Sequence, residues 1–431
     1  MSLLHLSRRW FAAGSFVFVV LMAAGRASAQ SPEWPVAAPE AVGLDSGVLD
    51  ECHAAIARGD FGPVHSLLVI RHGRLAAEHY YRGFDADTLH PVYSVTKSVT
   101  SALVGMALDR GELDGLSTPL LPHFPEYAPV ANPDPRKDAI ILADVLAMRA
   151  GFDWNEFQYP YTDTRNPYRQ LMASPDWLEF MLDRRMAYWP GTAFQYNSGC
   201  TILLSGLLLH ATGRQAHELA AERLFAPLDI TRWEWSLGTG GLTDTGGGLR
   251  LRPRDMAAIG QLYLREGAWR GQQLVPISWI AESMIRRSTF GDGRGYGYQW
   301  WLMPLEAGAV PGAGPDIWIA WGWGGQHIFV VPALDLVVVT TSGDYNDQYD
   351  GLVNHIQEFL ADAIKPPDGD LTGDGVSNAL DLAVLSQVLA GNIGLEDPLC
   401  LWPPMGDLNG NNHLDVADAV MLRQWLGRPV W

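Results

Sequence analysis

The sequence predicts an α+β fold: an antiparallel sheet flanked by helices, an α-rich region inserted between its strands, and a small all-α module at the end. Three observations carry this. Short β-type runs bounded by turn residues lie near both ends of the first 365 residues, at 66–70 and 75–80 and again at 328–331 and 336–341. The stretch between them is mostly helical in its periodicity, so the two ends of the domain are expected to close the sheet. Behind Lys365-Pro366-Pro367 the composition changes, residues 368–431 holding nine acidic residues, two arginines and no lysine, which marks a domain boundary.

Residues 1–29 are expected to be an export signal: Arg8 and Arg9, an apolar run at 10–24, then the small-residue cleavage site Ala27-Ser28-Ala29, with Gln30 opening the mature chain. Ser7-Arg8-Arg9-Trp10-Phe11 also fits a twin-arginine signal, although paired arginines precede ordinary signals too. The expected location is periplasmic, secreted or at the cell surface. The apolar run is short for an anchor and no other stretch is long enough, so no membrane span is expected once the signal is removed. The formal charge of −18 becomes −21 without Arg8, Arg9 and Arg26, which disfavours nucleic acid and anionic membranes as partners. With 48% hydrophobic residues and 17 tryptophans in the whole sequence, the chain can bury a large core, and the domain at 30–365 is its main part. Cys52, Cys200 and Cys400 lie far apart; they form no disulfide framework and are expected as buried thiols with at most one bridge.

An extended linker at 31–39 precedes a helical period at 46–58. Residues 66–70 and 75–80 then form a hairpin around Arg71-His72-Gly73-Arg74. Next comes Tyr93-Ser94-Val95-Thr96-Lys97, running into a helix through Asp109. Val99, Ala102, Leu103 and Met106 recur at i, i+3, i+4 and i+7, which predicts one buried face and an end near Gly111. Ser94 opens that helix, and Lys97 stands one turn along the same face, within reach of the Ser94 hydroxyl. Lysine can take a serine proton only when its amine is largely neutral, a state favoured by burial and by the positive end of the helix. Alone, S-x-x-K fits an N-cap serine and a solvated lysine better than a catalytic pair, because the spacing recurs by chance in many chains.

The loop at 189–199 combines Pro and Gly with an aromatic run and Asn-Ser-Gly, which would project Tyr196 and Ser198 into a cleft ahead of an apolar helix at 201–210. In Trp321-Gly322-Trp323-Gly324-Gly325-Gln326, glycines on an edge strand would let a substrate backbone approach, and a free N–H there could join that of Ser94 in an oxyanion hole. A bulge or tight turn is the other reading. Pro253 opens a structural helix at 254–266, stopped by Gly267, and a last helix is expected at 351–364. The aromatic run at 154–168 either lines the cleft or packs in the core. There is no G-x-S-x-G for a nucleophile elbow and no H-E-x-x-H for a zincin. His327 is the nearest candidate partner for a Ser-His-Asp triad, but it reads better as a satisfied strand residue beside the cleft.

Ser94-Val95-Thr96-Lys97, residues 146–154, the tyrosine loop, Gly246-Gly247-Gly248-Leu249-Arg250-Leu251 and Trp323-Gly324-Gly325 stand in the order seen in class C β-lactamases, D,D-peptidases, related esterases and 6-aminohexanoate-dimer hydrolases. The chain resembles that serine hydrolase family over residues 40–364. The resemblance implies a β-lactamase/transpeptidase-like fold and an acyl-enzyme on Ser94, with Lys97 and Tyr196 sharing proton transfer. It assigns the oxyanion hole to the backbone N–H groups of Ser94 and Gln326, and substrate contacts to Ser198, Trp323, Gly324 and Gly325. Two departures stand out: Ser198 replaces the asparagine of Tyr-x-Asn, and Trp323 replaces the lysine of Lys-Thr-Gly. Both resemble the esterase and 6-aminohexanoate-dimer hydrolase branch, with a small ester or amide as substrate and no catalytic cofactor. A true β-lactamase or D,D-peptidase is the alternative within the class; a slack hydrolase-like protein acting through its tail is the alternative outside it.

In the tail, at 368–431, two segments repeat 37 residues apart. Asp370, Thr372, Asp374, Val376, Asn378 and Asp381, and likewise Asp407, Asn409, Asn411, His413, Asp415 and Asp418, occupy positions 1, 3, 5, 7, 9 and 12 of a calcium loop. Oxygen side chains and the position-7 carbonyl supply the six to eight oxygens a hard cation takes. Gly375 sits at the turn position, whereas Asn412 and Asn411 should weaken the second site. Each loop runs into one apolar helix, at 380–389 and 416–426. This resembles a dockerin and implies structural Ca2+ and a cohesin-like or cell-surface partner. Ala379, Leu380, Val416 and Ala417 stand where cellulosomal dockerins often carry Ser or Thr, so a purely structural tail stays open.

Overall fold

The computed structural model describes residues 22–24, 33–305, 316–345, 356 and 379–389. Its centre is an antiparallel sheet of eight strands: β1 (Val64–Arg71), β2 (Arg74–Tyr80), β3 (Ser288–Thr289), β4 (Gly295–Tyr296), β5 (Trp301–Pro304), β6 (Asp316–Gly322), β7 (Gln326–Val331) and β8 (Leu336–Ser342), in the order β2-β1-β8-β7-β6-β5-β4-β3. The first and last strands pair from Leu336↔Arg71 to Ser342↔Val64, so the ends of the domain close the sheet as the sequence predicts. The β1–β2 turn places His72 and Gly73 at φ 51° and 70°, the left-handed pair a two-residue hairpin needs.

Strand periodicity sorts the side chains into two cores. Leu67, Val69, Phe329, Val331, Leu336 and Val338 face one side, where helix α1 (Ser46–Arg58) packs Leu49, Cys52 and Ile56 against them. Leu68, Ile70, Ile328, Val330, Val337 and Val339 face the other, against the helix Pro253–Leu264 and the inserted helical region. Each of these side chains, moved out of water, contributes about 1.5–3 kcal/mol. The linker covers the β2 edge: Val36 bridges Leu75, and Leu75 N donates to Pro35 O at 2.8 Å.

Helix α2 (Val95–Asp109) corrects one expectation. It is buried on every side from Val95 to Ala107, because it runs between the sheet and the inserted helices. Its polar residues are therefore satisfied internally: Ser98 Oγ donates to Gln299 O, Ser101 Oγ to Tyr298 O and Thr100 Oγ1 to Thr96 O. A second correction concerns the glycines of 322–325. They lie at the turn between β6 and β7, both interior strands, and not on a sheet edge.

A smaller sheet, in the order Met22–Ala24, Glu234–Ser236, Leu249–Leu251, His90–Pro91, ties the glycine-rich segment 246–248 to the approach to α2. Val92 N donates to Leu249 O at 3.0 Å and Leu249 N to Thr96 Oγ1 at 3.3 Å. Of the expected export signal only Met22–Ala24 is described. Of the helix expected at 351–364, only Ile356 is described, helical and buried. Cys52 and Cys200 are buried free thiols. Among the described residues no helix is long and apolar enough to cross a membrane. Of the first calcium loop only Ala379, Leu380 and Asp381 are described, Asp381 buried in the first turn of the helix Ala379–Leu389; the rest of both loops and Cys400 lie outside the described residues.

Candidate active site

Ser94 occupies the N-cap position of α2, yet its side chain makes no capping bond. Its backbone is in the right-handed region, and Tyr93 before it has φ 46°, a strained entry that turns the chain sharply into the helix. The hydroxyl instead accepts a hydrogen bond from Lys97 Nζ at 2.9 Å. Lys97 is 1% exposed, and its amine also donates to Gly246 O at 2.5 Å. Burial lowers its pKa to about 8, with the carboxylates of Glu156 and Asp244 pulling the other way. About a tenth of the amine is then neutral at pH 7, enough for a general base.

Tyr196 closes the cluster. The Lys97 ammonium nitrogen stands 5.1 Å from the centroid of its ring. Burial, reinforced by the Glu156 charge, pushes the phenol well above its ordinary range, and a hydrogen bond with Ser94 opposes that rise. Tyr196 is therefore a neutral phenol at rest, able to relay a proton between Ser94 and a departing group. The ring stacks against Phe157 and Trp301, nearly parallel to both at 22° and 21°, with centroids 5.3 and 5.8 Å away.

Ser94 and Tyr196 open into a cavity of about 930 Å³. Trp323, Gly324 and Gly325 line it, as do Phe157, Tyr159 and Tyr161, so part of the aromatic run at 154–168 does face the cleft while Trp154 is buried. Two predicted residues stand back from it. Ser198 is buried at the start of the helix Ser198–Thr212, donating from N and Oγ to Glu156 at 2.7 and 2.6 Å. Gln326 is buried at the start of β7, where its side-chain amide donates to Gly324 O at 3.1 Å and Ser342 O at 2.5 Å. That side chain braces the turn, leaving only its main chain for a substrate. His327 is buried on β7, with Nδ1 against Thr340 Oγ1 at 2.9 Å and no part in the cavity lining.

Two buried carboxylates escaped the sequence reading. Asp244 accepts from Tyr168 OH at 3.1 Å and from Gly246 N and Gly247 N at 3.0 and 3.1 Å, folding the glycine-rich turn whose carbonyl receives Lys97. Glu156 accepts from Trp154, Tyr161 and Ser198. An acid inside an aromatic run, and one just ahead of three glycines, were the available signals. Among the described lining residues the charged side chains are Glu156, Asp292 and Arg294, and Arg294 Nε donates to Asp292 at 2.8 Å.

A family model described as Beta-lactamase matches residues 55–362. A 6-aminohexanoate-dimer hydrolase of Paenarthrobacter ureafaciens is 28% identical over an alignment of 301 residues that covers 64% of this chain and 72% of that protein. Among solved structures, "Putative 6-aminohexanoate-dimer hydrolase from Bacillus anthracis" superposes with a TM-score of 0.63 at 19% identity, covering 80% of this chain and 92% of that one. A family VIII carboxylesterase superposes with a TM-score of 0.57 at 16% identity, covering 77% and 99%. These structural likenesses establish the shared α+β fold.

Proposed function

The chain belongs to the beta-lactamase family of serine hydrolases, and from that premise we propose that it hydrolyses a small ester or linear amide through an acyl-enzyme on Ser94. The observation that carries this is the 2.9 Å contact between the buried Lys97 amine and Ser94 Oγ, with Tyr196 beside both. Ser94 Oγ attacks the substrate carbonyl and its proton passes to Lys97 Nζ. The N–H groups of Ser94 and Gln326 hold the tetrahedral oxyanion. Its collapse breaks the bond to the alcohol or amine, which leaves with a proton relayed through Tyr196 from Lys97. Water then attacks the acyl-enzyme, giving its proton back along the same path, and the acid departs with Ser94 restored.

Trp323 favours esters and linear amides over β-lactams, because an uncharged indole stands where a lysine would draw a substrate carboxylate. The test uses a p-nitrophenyl ester panel, 6-aminohexanoate dimer and nitrocefin, beside Ser94→Ala. Ester or linear-amide turnover lost in that variant supports the reading; nitrocefin turnover of comparable efficiency would replace it with a β-lactamase. No Ser94-dependent turnover of any probe would sink it.

For the tail at 368–431 our reading is a dockerin-like module holding structural calcium, on an exported protein. The loop spacing supports this, and Asp381, the position-12 carboxylate of the first loop, is buried where its helix begins. Asp370, Thr372, Asp374, Asn378 and the Val376 carbonyl would complete the first site; Asp407, Asn409, Asn411, Asp415, Asp418 and the His413 carbonyl would form the second. The partner would be cohesin-like or a cell-surface component. Calorimetric titration of the EGTA-treated full chain with Ca2+ checks the metal: two sites of unequal affinity are expected, and no uptake would refute it.

A further inference from the structure

Glu156 is 1% exposed and has every acceptor site engaged. Oε2 accepts from Trp154 Nε1 at 2.9 Å and Ser198 N at 2.7 Å; Oε1 accepts from Tyr161 OH at 2.8 Å and Ser198 Oγ at 2.6 Å. Four donors on two oxygens use up the lone pairs of a carboxylate. None is left to bind a substrate or to carry a proton through the reaction. The residue nonetheless lies on the cavity wall, and its three partner residues belong to two segments, the aromatic run and the start of the helix that follows Tyr196.

We propose that Glu156 is a positioning residue for catalysis, clamping the loop that carries Tyr196 to the aromatic wall and presenting a fixed negative charge to Lys97. This rests on the Ser94–Lys97–Tyr196 reading above and extends it. Ser198, held twice, lies two residues after Tyr196 and begins a fifteen-residue helix, so the clamp fixes where the phenol enters the cleft. Tyr161, held once, packs its ring on Trp323 with centroids 5.3 Å apart, so the same carboxylate also steadies the part of the cavity wall that Trp323 forms. Trp154 anchors the clamp in the core.

Lys97 is faced by groups from four elements. Its own helix contributes Ser94 Oγ; the glycine-rich turn contributes Gly246 O and the Asp244 carboxylate; the tyrosine loop contributes the Tyr196 ring; the aromatic segment contributes Glu156. The two carboxylates oppose the burial that lowers the Lys97 pKa, and their own partners, Tyr161, Tyr168 and Ser198, keep them in place. Removing the Glu156 charge leaves the Asp244 carboxylate to oppose the burial of Lys97, so the Lys97 ammonium should lose its proton more readily.

The chain has three lysines, Lys97, Lys137 and Lys365, so a protein labelled with 13C at the lysine ε carbon gives three signals, and Lys97 is assigned by its loss in Lys97→Arg. In the wild type the Lys97 signal should titrate near pH 8. In Glu156→Gln the midpoint should fall by about one pH unit, and kcat on the best ester should drop at least tenfold with KM changed less. Glu156→Asp keeps the charge but shortens the reach: its Lys97 midpoint should stay at the wild-type value while kcat still falls. An unmoved Lys97 midpoint in Glu156→Gln overturns the electrostatic half, and wild-type kcat in both variants overturns the clamp. The titration needs no turnover, so an inactive wild type with a shifted midpoint would count against the hydrolase reading and leave the charge relationship standing. Should Glu156→Gln not fold, the Asp variant decides: a midpoint displaced from the wild type, or an undiminished kcat, refutes the proposal.

Discussion

Gly322 lies against the carbonyl of Val92 so closely that a Cβ placed on it would stand 2.2 Å from that oxygen. Val92 O also accepts from Val95 N at 3.1 Å, at the turn that delivers Ser94. The end of β6 is thus packed directly on the backbone that aims Ser94. In Gly322→Ala one of the two must move, at a cost of about 1–3 kcal/mol in stability. Because Ser94 follows Val92 by two residues, kcat and the rate of Ser94 labelling by a fluorophosphonate should fall together, by more than tenfold. A folded variant with wild-type labelling would show that the contact does not set the nucleophile.

Trp323 packs against Tyr93, Tyr161 and Tyr345, with ring centroids 5.3, 5.3 and 4.9 Å away, and so builds an uncharged wall beside Ser94. Trp323→Lys would place a cation there and open the wall. Turnover of neutral aryl esters should fall about tenfold or more, while substrates carrying a carboxylate beside the scissile bond, nitrocefin included, should gain relative to them. The measurement is the ratio of kcat/KM for the two substrate classes; an unchanged ratio would mean that the charge at this position does not select substrate.

Lys97 must be neutral to accept the Ser94 proton, and burial lowers its pKa from the ordinary amine range to about 8. Below pH 8 the base is mostly protonated, so kcat/KM should rise about tenfold per pH unit on the acid side and level off above pH 8. The profile should not break near pH 6.5, since His327 is buried away from Ser94 and has its own partner. A bell centred on a histidine value, removed in His327→Asn, would transfer the base role to His327.

Legibility in the sequence followed the range of each signal. The two hairpins, the helix Ser46–Arg58 and the closure of the sheet by its ends could be read because period 2, period 3.6 and turn residues are local. The burial of α2 on every face could not, since it depends on which helices the inserted region lays over it. Ser198 was misplaced for a related reason: Asn-Ser-Gly marks a loop, but its polar side chain is claimed by Glu156, 42 residues earlier. The acids that shape the site, Glu156 and Asp244, left no spacing of their own. Their chemistry comes from burial beside Lys97, a contact made only in three dimensions.

Two buried histidines make the fold sensitive to mild acid. Burial holds the His327 imidazole down at about 3 and His90 at about 4, the latter also opposed by the charges of His65 and Arg250. In the unfolded chain both would take a proton near pH 6.5. Between that value and the folded ones the unfolded state binds more protons, so stability is full above about pH 6.5 and declines as the pH falls. At pH 5.5 the loss is about 1 kcal/mol per histidine. His327→Asn can still donate to Thr340 Oγ1 and removes one titrating group, so its melting temperature should fall less than that of the wild type between pH 7.5 and 5.5. Taking the difference between the two proteins cancels the carboxylates they share. The same difference should appear in activity, because Thr340 Oγ1, which receives His327, donates in turn to Gly325 O at 3.2 Å in the turn that opens on Ser94. Equal slopes for the two proteins would sink the argument, since nothing else in the substitution removes a proton site.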